Sequence, residues 1–585
     1  MGLKRKDQSG VPKGAQQNGS GKGDKKKKGH QLKFNKKKSK NNTNNHNNNI
    51  LPQAAIVIPP STTRKMSTTA MAAIPKVAEH LALIENDDRF ASSDEDENVA
   101  RMEEIRTTPL FSSGVKMTLQ HHGQDDILPQ YALMGMRTET YGRVDGEGMT
   151  ESHFRRSTNL VYANVNAPWS TFICGSQGSG KSHTLSCMLE NSLLQPSCTG
   201  NVSSPLTGLV LHYDKFTGIE TGQLCEAAYL STKIPVRVLV SPSNYARMAE
   251  LYANLPGLPE GASPPKVSRM YFREDQMTIG MMKDLMAVSG NGTTPLYMEV
   301  VTKVLREMAE ENQGRRGINF QLFRSRLREA RFTKDQNGPL EMRLQLLESF
   351  LQKPGTTVVR GKNRYAMPEG NVWDFPKGSL TIIDLSCPFV DENDACSLFN
   401  IGLSIFMERR SESGRVVALD EAHKFLTTNS REAINLTDSL LSIVRQQRHL
   451  ATRVIIATQE PTLSLSLLDL CNVTIVHRFT SPAWYKTLRG HLAGAVFDSE
   501  STYTSDGLFS RIVTLRTGEA LVFCPSAMLD LAREKDDEVS SVGTETAVTS
   551  TLRPLQVKEL GARYARIRIR KRVTTDGGRS ILADG

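Results

Sequence analysis

No apolar run in this chain approaches the ~20 residues that a membrane-crossing helix needs, and the basic N-terminus is not followed by an apolar signal core. Met1-Gly2 begins like a myristoylation site, but Lys6 stands where Ser or Thr is required. These absences lead us to expect a soluble, intracellular protein with no membrane partner. Cysteine is also sparse. The 585 residues hold eight (Cys174, Cys187, Cys198, Cys225, Cys387, Cys396, Cys471 and Cys524), with no C-x-x-C pair. That spacing suggests neither a zinc knuckle nor a disulfide framework. Most of the eight sit in apolar strand or helix contexts, where a reduced thiol serves as a small core residue, so a reducing compartment is expected.

The body of the chain also lacks a surplus of charge. The formal net charge is +11, but residues 1–40 carry fourteen basic residues against two acids, a net +12 that leaves −1 for residues 41–585. The tail is Lys-, Gly- and Asn-rich through residue 50, and it cannot bury enough apolar surface to offset its ordering entropy. Disorder is expected there. The runs Lys25–Lys28 and Lys36–Lys38 fit nuclear import or a non-specific nucleic-acid arm, against the alternative of an ordinary solvated tail, so nucleus and cytoplasm both stay open. Residues 51–125 read as mostly linker. Within them, Thr68–Ile84 offers one helix and Ser92–Glu97 an acidic serine patch open to phosphorylation.

Against these absences stands one dense stretch, Gly175-Ser176-Gln177-Gly178-Ser179-Gly180-Lys181-Ser182. A short apolar strand, Ser170 to Cys174, precedes it, and a helix from His183 to Leu194 follows, with Leu185, Met188 and Leu189 at core spacing. Strand, glycine-rich turn, Lys-Ser and helix make a phosphate-binding P-loop. Glycines let successive N–H groups converge on one anion, and the helix N-terminus adds its positive end to the same spot. The expected ligand is ATP with Mg²⁺. Gly175 to His183 form the cradle, Lys181 reaches the β- and γ-phosphates, and the Ser182 hydroxyl completes the metal shell.

Downstream, strands alternate with helices, the signature of a parallel sheet with crossover helices. Strand candidates are 208–213, 236–240, 380–385, 416–419, 453–458 and 473–478, with a last hairpin of 511–515 and 519–524. Residues 278–352 instead recur at helical spacing (Val301, Val304, Leu305, Met308; Leu340, Leu344, Leu347, Leu351) and read as an all-helical insert. Met277, Met281, Met282 and Met286 there read as core filling. The expected fold class is α/β: a RecA-like P-loop core with a mainly parallel sheet, an all-helical insert and a disordered N-terminal tail. The expected divisions are tail and linker at 1–125, core at 126–277, insert at 278–370, core again at 371–530, and a polar then basic segment at 531–585.

A P-loop needs a carboxylate on a neighbouring strand to hold Mg²⁺. Val416 to Leu419 end in Asp420 and Glu421, expected to hold the metal shell and to deprotonate the attacking water, respectively. Asp384 ends another apolar strand but has no following acid, so a structural place suits it better. Gln459, closing the strand 453–458, is a γ-phosphate sensor candidate or a loop-bonding amide. In Arg566-Ile567-Arg568-Ile569-Arg570-Lys571-Arg572-Val573 the arginines alternate with mostly apolar residues, which gives a strand with one cationic face and fits a nucleic-acid strip or a solvated edge.

Taken in order, residues 175–182, Leu380–Ser386 (Leu-Thr-Ile-Ile-Asp-Leu-Ser), Asp420–Leu426 (Asp-Glu-Ala-His-Lys-Phe-Leu), Ile455–Pro461 (Ile-Ile-Ala-Thr-Gln-Glu-Pro) and Arg516–Val522 resemble the HerA–FtsK superfamily of ASCE-type P-loop ATPases, over about residues 160–525. The resemblance implies ATP hydrolysis, a homo-oligomeric ring, often a hexamer, and movement of nucleic acid, DNA before RNA. It carries the catalytic roles to Lys181, Glu421 and Gln459, the metal role to Asp420, and an arginine finger to Arg448. Glu460 departs from the arginine that often follows the sensor, and neither a HerA-type barrel nor an FtsK-type membrane domain is legible. Asp-Glu-Ala-His also names a class of RNA helicases. Their Ser-Ala-Thr and Gln-Arg-x-x-Arg motifs are missing, and only about 60 residues follow the last core strand, too few for a second RecA-like domain. An ATP-gated switch or scaffold acting on protein partners is the alternative to a motor.

Overall fold

The computed structural model describes residues 94–576 except 145–146, 154–156, 196–197, 216–222, 287–296, 314–316, 331, 353–356, 361–362, 367–370, 409–413, 462, 493–506 and 532–556. The basic tail and the expected helix at 68–84 lie outside the described residues.

Short runs of β-branched and aliphatic residues become the centre of one sheet. In spatial order the parallel strands are Lys266–Arg269, Val236–Val240, Leu380–Asp384, Thr207–His212, Arg415–Asp420, Thr452–Thr458, Ser170–Cys174 and Val473–Val476. Five of the inner strands are buried at every residue, as unbroken apolar runs covered on both faces must be. The two-residue period divides each strand between two cores. Phe172, Leu209, Leu211, Val417 and Leu419 face the helices Glu392–Glu408 and Arg431–Arg445 and the insert. Ile173, Val210, Val416 and Ala418 face Leu185, Met188, Leu189 and Leu193 of the P-loop helix Lys181–Leu193.

Beyond Val473–Val476 the sheet turns antiparallel through Glu519–Phe523, Tyr564–Ile569, Tyr131–Val144, Leu160–Asn164 and Leu110–Ser112. This extension corrects three expectations. Residues 94–125 are not linker: the helices Asp94–Thr107 and Ser113–His121 flank Leu110–Ser112, and Ile105, Phe111, Val115 and Leu119 bury against Leu128, Met528 and Val557. The 531–585 segment is not an appendage, because Tyr564–Ile569 is an inner strand of the sheet. Residues 511–515 are not a strand: Leu508–Thr514 is a helix whose Leu508 and Ile512, four apart, are both buried.

The insert packs through the helices Ile279–Met286, Tyr297–Glu311, Phe320–Glu329 and Lys334–Phe350, whose periodic Val301, Val304, Leu305, Met308, Leu340, Leu344 and Leu347 are buried. All four methionines noted in the sequence are buried there too. The stretch 278–370 is not all helical, however. Thr357–Arg360 pairs antiparallel with Asn363–Ala366. Thr356-Thr357-Val358-Val359 is β-branched throughout, which disfavours helix, but so short a run is masked by the helical period before it.

Candidate nucleotide-binding site

The carboxyl ends of the parallel strands converge where the P-loop begins, the edge at which open α/β sheets bind ligands. Gly178 (φ 70°) and Gly180 (φ 108°) take backbone conformations that side chains resist, and a Cβ on Gly175 would lie 2.7 Å from His477 Cβ and 2.7 Å from Ser179 Oγ. The loop is pinned from inside. Ser179 Oγ donates to the Ser176 carbonyl at 2.7 Å, Ser176 N–H donates to the Arg478 carbonyl at 2.9 Å, and Lys181 Nζ donates to the Ser176 carbonyl at 3.1 Å. Lys181 is buried, which lowers its pKa, while Glu421 and Asp420 nearby act in the opposite direction. Ser182 and His183 are half-buried and Gln177 is exposed, so the cradle opens outward.

Strand register places the acids. Asp384, His212 and Asp420 are cross-strand neighbours at one level of the sheet. Asp384 is taken up internally: it accepts from Tyr252 Oη at 2.5 Å and from Ser386 N–H at 3.0 Å. Asp420 is 3% exposed, and burial raises its pKa. A buried carboxylate carrying that penalty next to the P-loop lysine suits a cation shell, so Asp420 and Ser182 fit Mg²⁺ by donor chemistry. Glu421 follows in a left-handed conformation (φ 51°, ψ 43°), which costs about 1–2 kcal/mol for a residue with a side chain. That turn brings its carboxylate to Gln459, whose Nε2 donates at 3.3 and 3.2 Å to the two oxygens. His423 Nδ1 lies 3.3 Å from Glu421 Oε2. The structure therefore gathers Lys181, Asp420, Glu421 and Gln459. Arg448 is not among them: it is exposed on the short helix Gln447–Leu450, and Arg445, at the end of the preceding helix, is exposed too.

Other residues of the site carry no motif. His477 is fully buried beneath the loop. Its Nδ1–H donates to the Glu519 carbonyl at 3.0 Å, which leaves Nε2 to accept from Thr184 Oγ at 2.9 Å. Burial pushes its pKa down to about 4. Glu226 stands near the acids, and burial, with Asp420 next, pushes it up to about 7. Glu190 on the P-loop helix is 0% exposed. Burial alone would raise its pKa, but hydrogen bonds from Thr574 and Val573, with Arg570 adding its charge, hold it below the usual range. His183 Nε2 donates to the Arg570 carbonyl at 2.9 Å, so residues 570–574 clasp the nucleotide-binding helix. Only the alternation at 566–570 signalled any of this, and the expectation drawn from it needs correcting. Arg566 pairs with Glu519 at 2.6 Å and Glu139 at 3.4 Å, and Arg570 pairs with Glu190 at 2.7 Å; only Arg568 points outward exposed. The strip is mostly consumed inside the fold.

One strand, Thr452–Thr458, lies between the P-loop strand and the strand ending in Asp420-Glu421, and it delivers Gln459 between them. The P-loop, Gln459 and the paired acids thus follow three adjacent parallel strands. The core is a P-loop NTPase fold.

No protein-family model matches the chain, and no curated protein does. Among solved structures, the P-loop NTPase core is similar to VirB4 of Thermoanaerobacter pseudethanolicus (TM-score 0.41, 11% identity, covering 68% of this chain and 94% of that one). It is also similar to the genome packaging NTPase B204 of Sulfolobus turreted icosahedral virus 2 in complex with ATP-gammaS (TM-score 0.17, 12% identity, covering 25% and 61%). A third likeness is the cytoplasmic domain of the type VII secretion ATPase EccC of Thermomonospora curvata (TM-score 0.24, 10% identity, covering 76% and 29%). The fold assignment rests on the strand order and the loop rather than on these distant likenesses. Among the described residues no helix is long and apolar enough to cross a membrane.

Proposed function

We propose that this chain is a HerA–FtsK-type ATPase that binds Mg²⁺·ATP in the P-loop and hydrolyses it. The observation that carries the reading is the Glu421 carboxylate, buried, held by the Gln459 amide, and next to Lys181 and Asp420. In this reading Lys181 and the loop N–H groups hold the phosphates, Glu421 takes the proton of the attacking water, and Gln459 orients that carboxylate and reports the γ-phosphate. Ser182 and Asp420 would hold Mg²⁺, which supplies charge neutralisation at the phosphates. In this reading Arg448, which is exposed, serves a neighbouring copy, and the working form is a ring, hexameric as the family resemblance implies.

We further propose that the ring moves or remodels nucleic acid, DNA before RNA. The specific observation favouring the second reading, an ATP-gated switch on protein partners, is the internal pairing of Arg566 and Arg570, which removes most of the strip expected to touch phosphates. The test is ATP turnover by the full chain with DNA, with RNA and with neither, across salt concentrations. Stimulation by a polymer that fades as salt rises supports the motor. Turnover indifferent to both polymers supports the switch.

A further inference from the structure

Behind Asp420 lies a buried set of three different donors. A ring nitrogen of His212, Cys225 Sγ and an Asp420 carboxylate oxygen all lie within 4.8 Å of one another, on three buried residues. Register explains the first pair, since His212 and Asp420 are direct cross-strand partners. Cys225 joins them because Gln223, two residues earlier, is tied down: its carbonyl accepts from His212 Nε2 at 3.0 Å, and its own N–H donates to Asp214 at 3.1 Å. Cys225 is held in turn by its N–H, which donates to Tyr252 Oη at 3.3 Å.

The first of these bonds settles the histidine tautomer. A carbonyl only accepts, so Nε2 carries a proton, and in the neutral ring Nδ1 then presents a lone pair. That lone pair is fully buried and meets no hydrogen-bond donor among the described residues. What it faces is Asp420 Oδ2 at 3.8 Å, a second acceptor. Two acceptors across a dry gap are costly to leave unmatched. A proton or a metal cation between them satisfies both, and only the metal also takes the thiol as a third ligand. Nitrogen, sulfur and oxygen together are the ligand set of a borderline-soft divalent ion, whereas Mg²⁺ and Ca²⁺ take oxygen. Tetrahedral zinc at ~2.0–2.3 Å from each ligand sets its ligands roughly 3.3–3.8 Å apart. The His212–Asp420 pair already meets that spacing, and the thiol must close by at most ~1 Å.

We infer that His212, Cys225 and Asp420 form a binding site for a zinc-class divalent cation, and that a cation held there inhibits nucleotide hydrolysis by engaging the Asp420 carboxylate. On binding, the Cys225 S–H bond is exchanged for an S–metal bond and the proton leaves to solvent. The inhibitory half rests on the ATPase reading, but the existence of the site does not.

Cobalt(II) is the probe that separates the two halves, because a thiolate ligand gives a sulfur-to-cobalt charge-transfer band that nitrogen and oxygen ligands do not. The full-length, nucleotide-free protein should develop that band on titration to one equivalent and lose it when Zn²⁺ is added. Cys198→Ser, an exposed cysteine elsewhere, should keep the band; Cys225→Ser should abolish it, and His212→Gln should weaken cobalt binding by ~10-fold or more, with folding checked by circular dichroism. Zinc should then slow Mg²⁺·ATP turnover of the wild type but not of Cys225→Ser. No thiolate band in the wild type, whatever the variants do, overturns the site. A band that survives in Cys225→Ser overturns it as well. A band with no zinc inhibition keeps the site and overturns the inhibitory role. Absent ATP turnover contradicts the ATPase reading alone.

Discussion

His477 supports the P-loop only while it is neutral. The residue lies against Gly175 and Gly180, and its ring donates to one carbonyl and accepts from Thr184; a second proton would force the Thr184 hydroxyl to accept instead and would put a charge in a fully buried pocket. The sign of the pH effect follows. The folded pKa is about 4 against an ordinary 6.5, so the unfolded chain binds more protons between those values. Stability is therefore intact above pH ~6.5 and falls progressively toward pH ~4, by up to about 3 kcal/mol. Melting temperature measured against pH should show this loss, and His477→Gln should flatten the curve over that window. If both proteins lose stability in parallel, His477 is not the group responsible. No sequence signal marks such a histidine, because its role depends on a strand more than 290 residues from the loop it supports. Glu421 and Gln459 were legible, because a strand's end is where its last polar residue meets ligand. The bond between them was not, because it needs the left-handed turn at Glu421.

Among the elements, the strand Tyr564–Ile569 and the clasp that follows it differ most from expectation. Alternation correctly announced a strand with Ile567 and Ile569 on one buried apolar face. It could not say that the opposite face also meets protein, since the partners Glu139, Glu519 and Glu190 lie far off in sequence and carry no local mark. The same holds for residues 94–125, whose apolar residues only make sense beside Met528 and Val557. The buried parallel strands, by contrast, were readable almost to the residue, because burial on both faces forces unbroken apolar runs; the edge strand Lys266–Arg269, only partly covered, gave no such run. Arg570 and Glu190 are both buried, so removing one partner strands a charge, a loss of about 3–5 kcal/mol. Arg570→Ala should lower the unfolding free energy from denaturant titration by that much and loosen nucleotide binding through the clasped helix. Charge reversal at Arg568, the exposed member, should leave that free energy within about 0.5 kcal/mol of the parent's. Equal and small effects at both positions would argue against the clasp.

For the whole molecule, the question is whether one chain suffices. In the proposed reading Lys181 is the cation at the phosphates, while Arg448 is exposed on its short helix, away from that site. If Arg448 completes a neighbour's site, Arg448→Ala should lower turnover by ~10³ or more with nucleotide affinity kept. Mixing it with Glu421→Gln protein should then restore part of the activity, since each supplies what the other lacks. Full activity in a strictly monomeric preparation would contradict the ring. All of this presumes that the site hydrolyses ATP, which Glu421→Gln tests most directly. The measurement is the ATP cleavage rate of the full chain under saturating nucleotide, alongside nucleotide affinity for the same two proteins. The account predicts unchanged affinity and a rate lower by roughly two to four orders of magnitude; cleavage at the parental rate would contradict it.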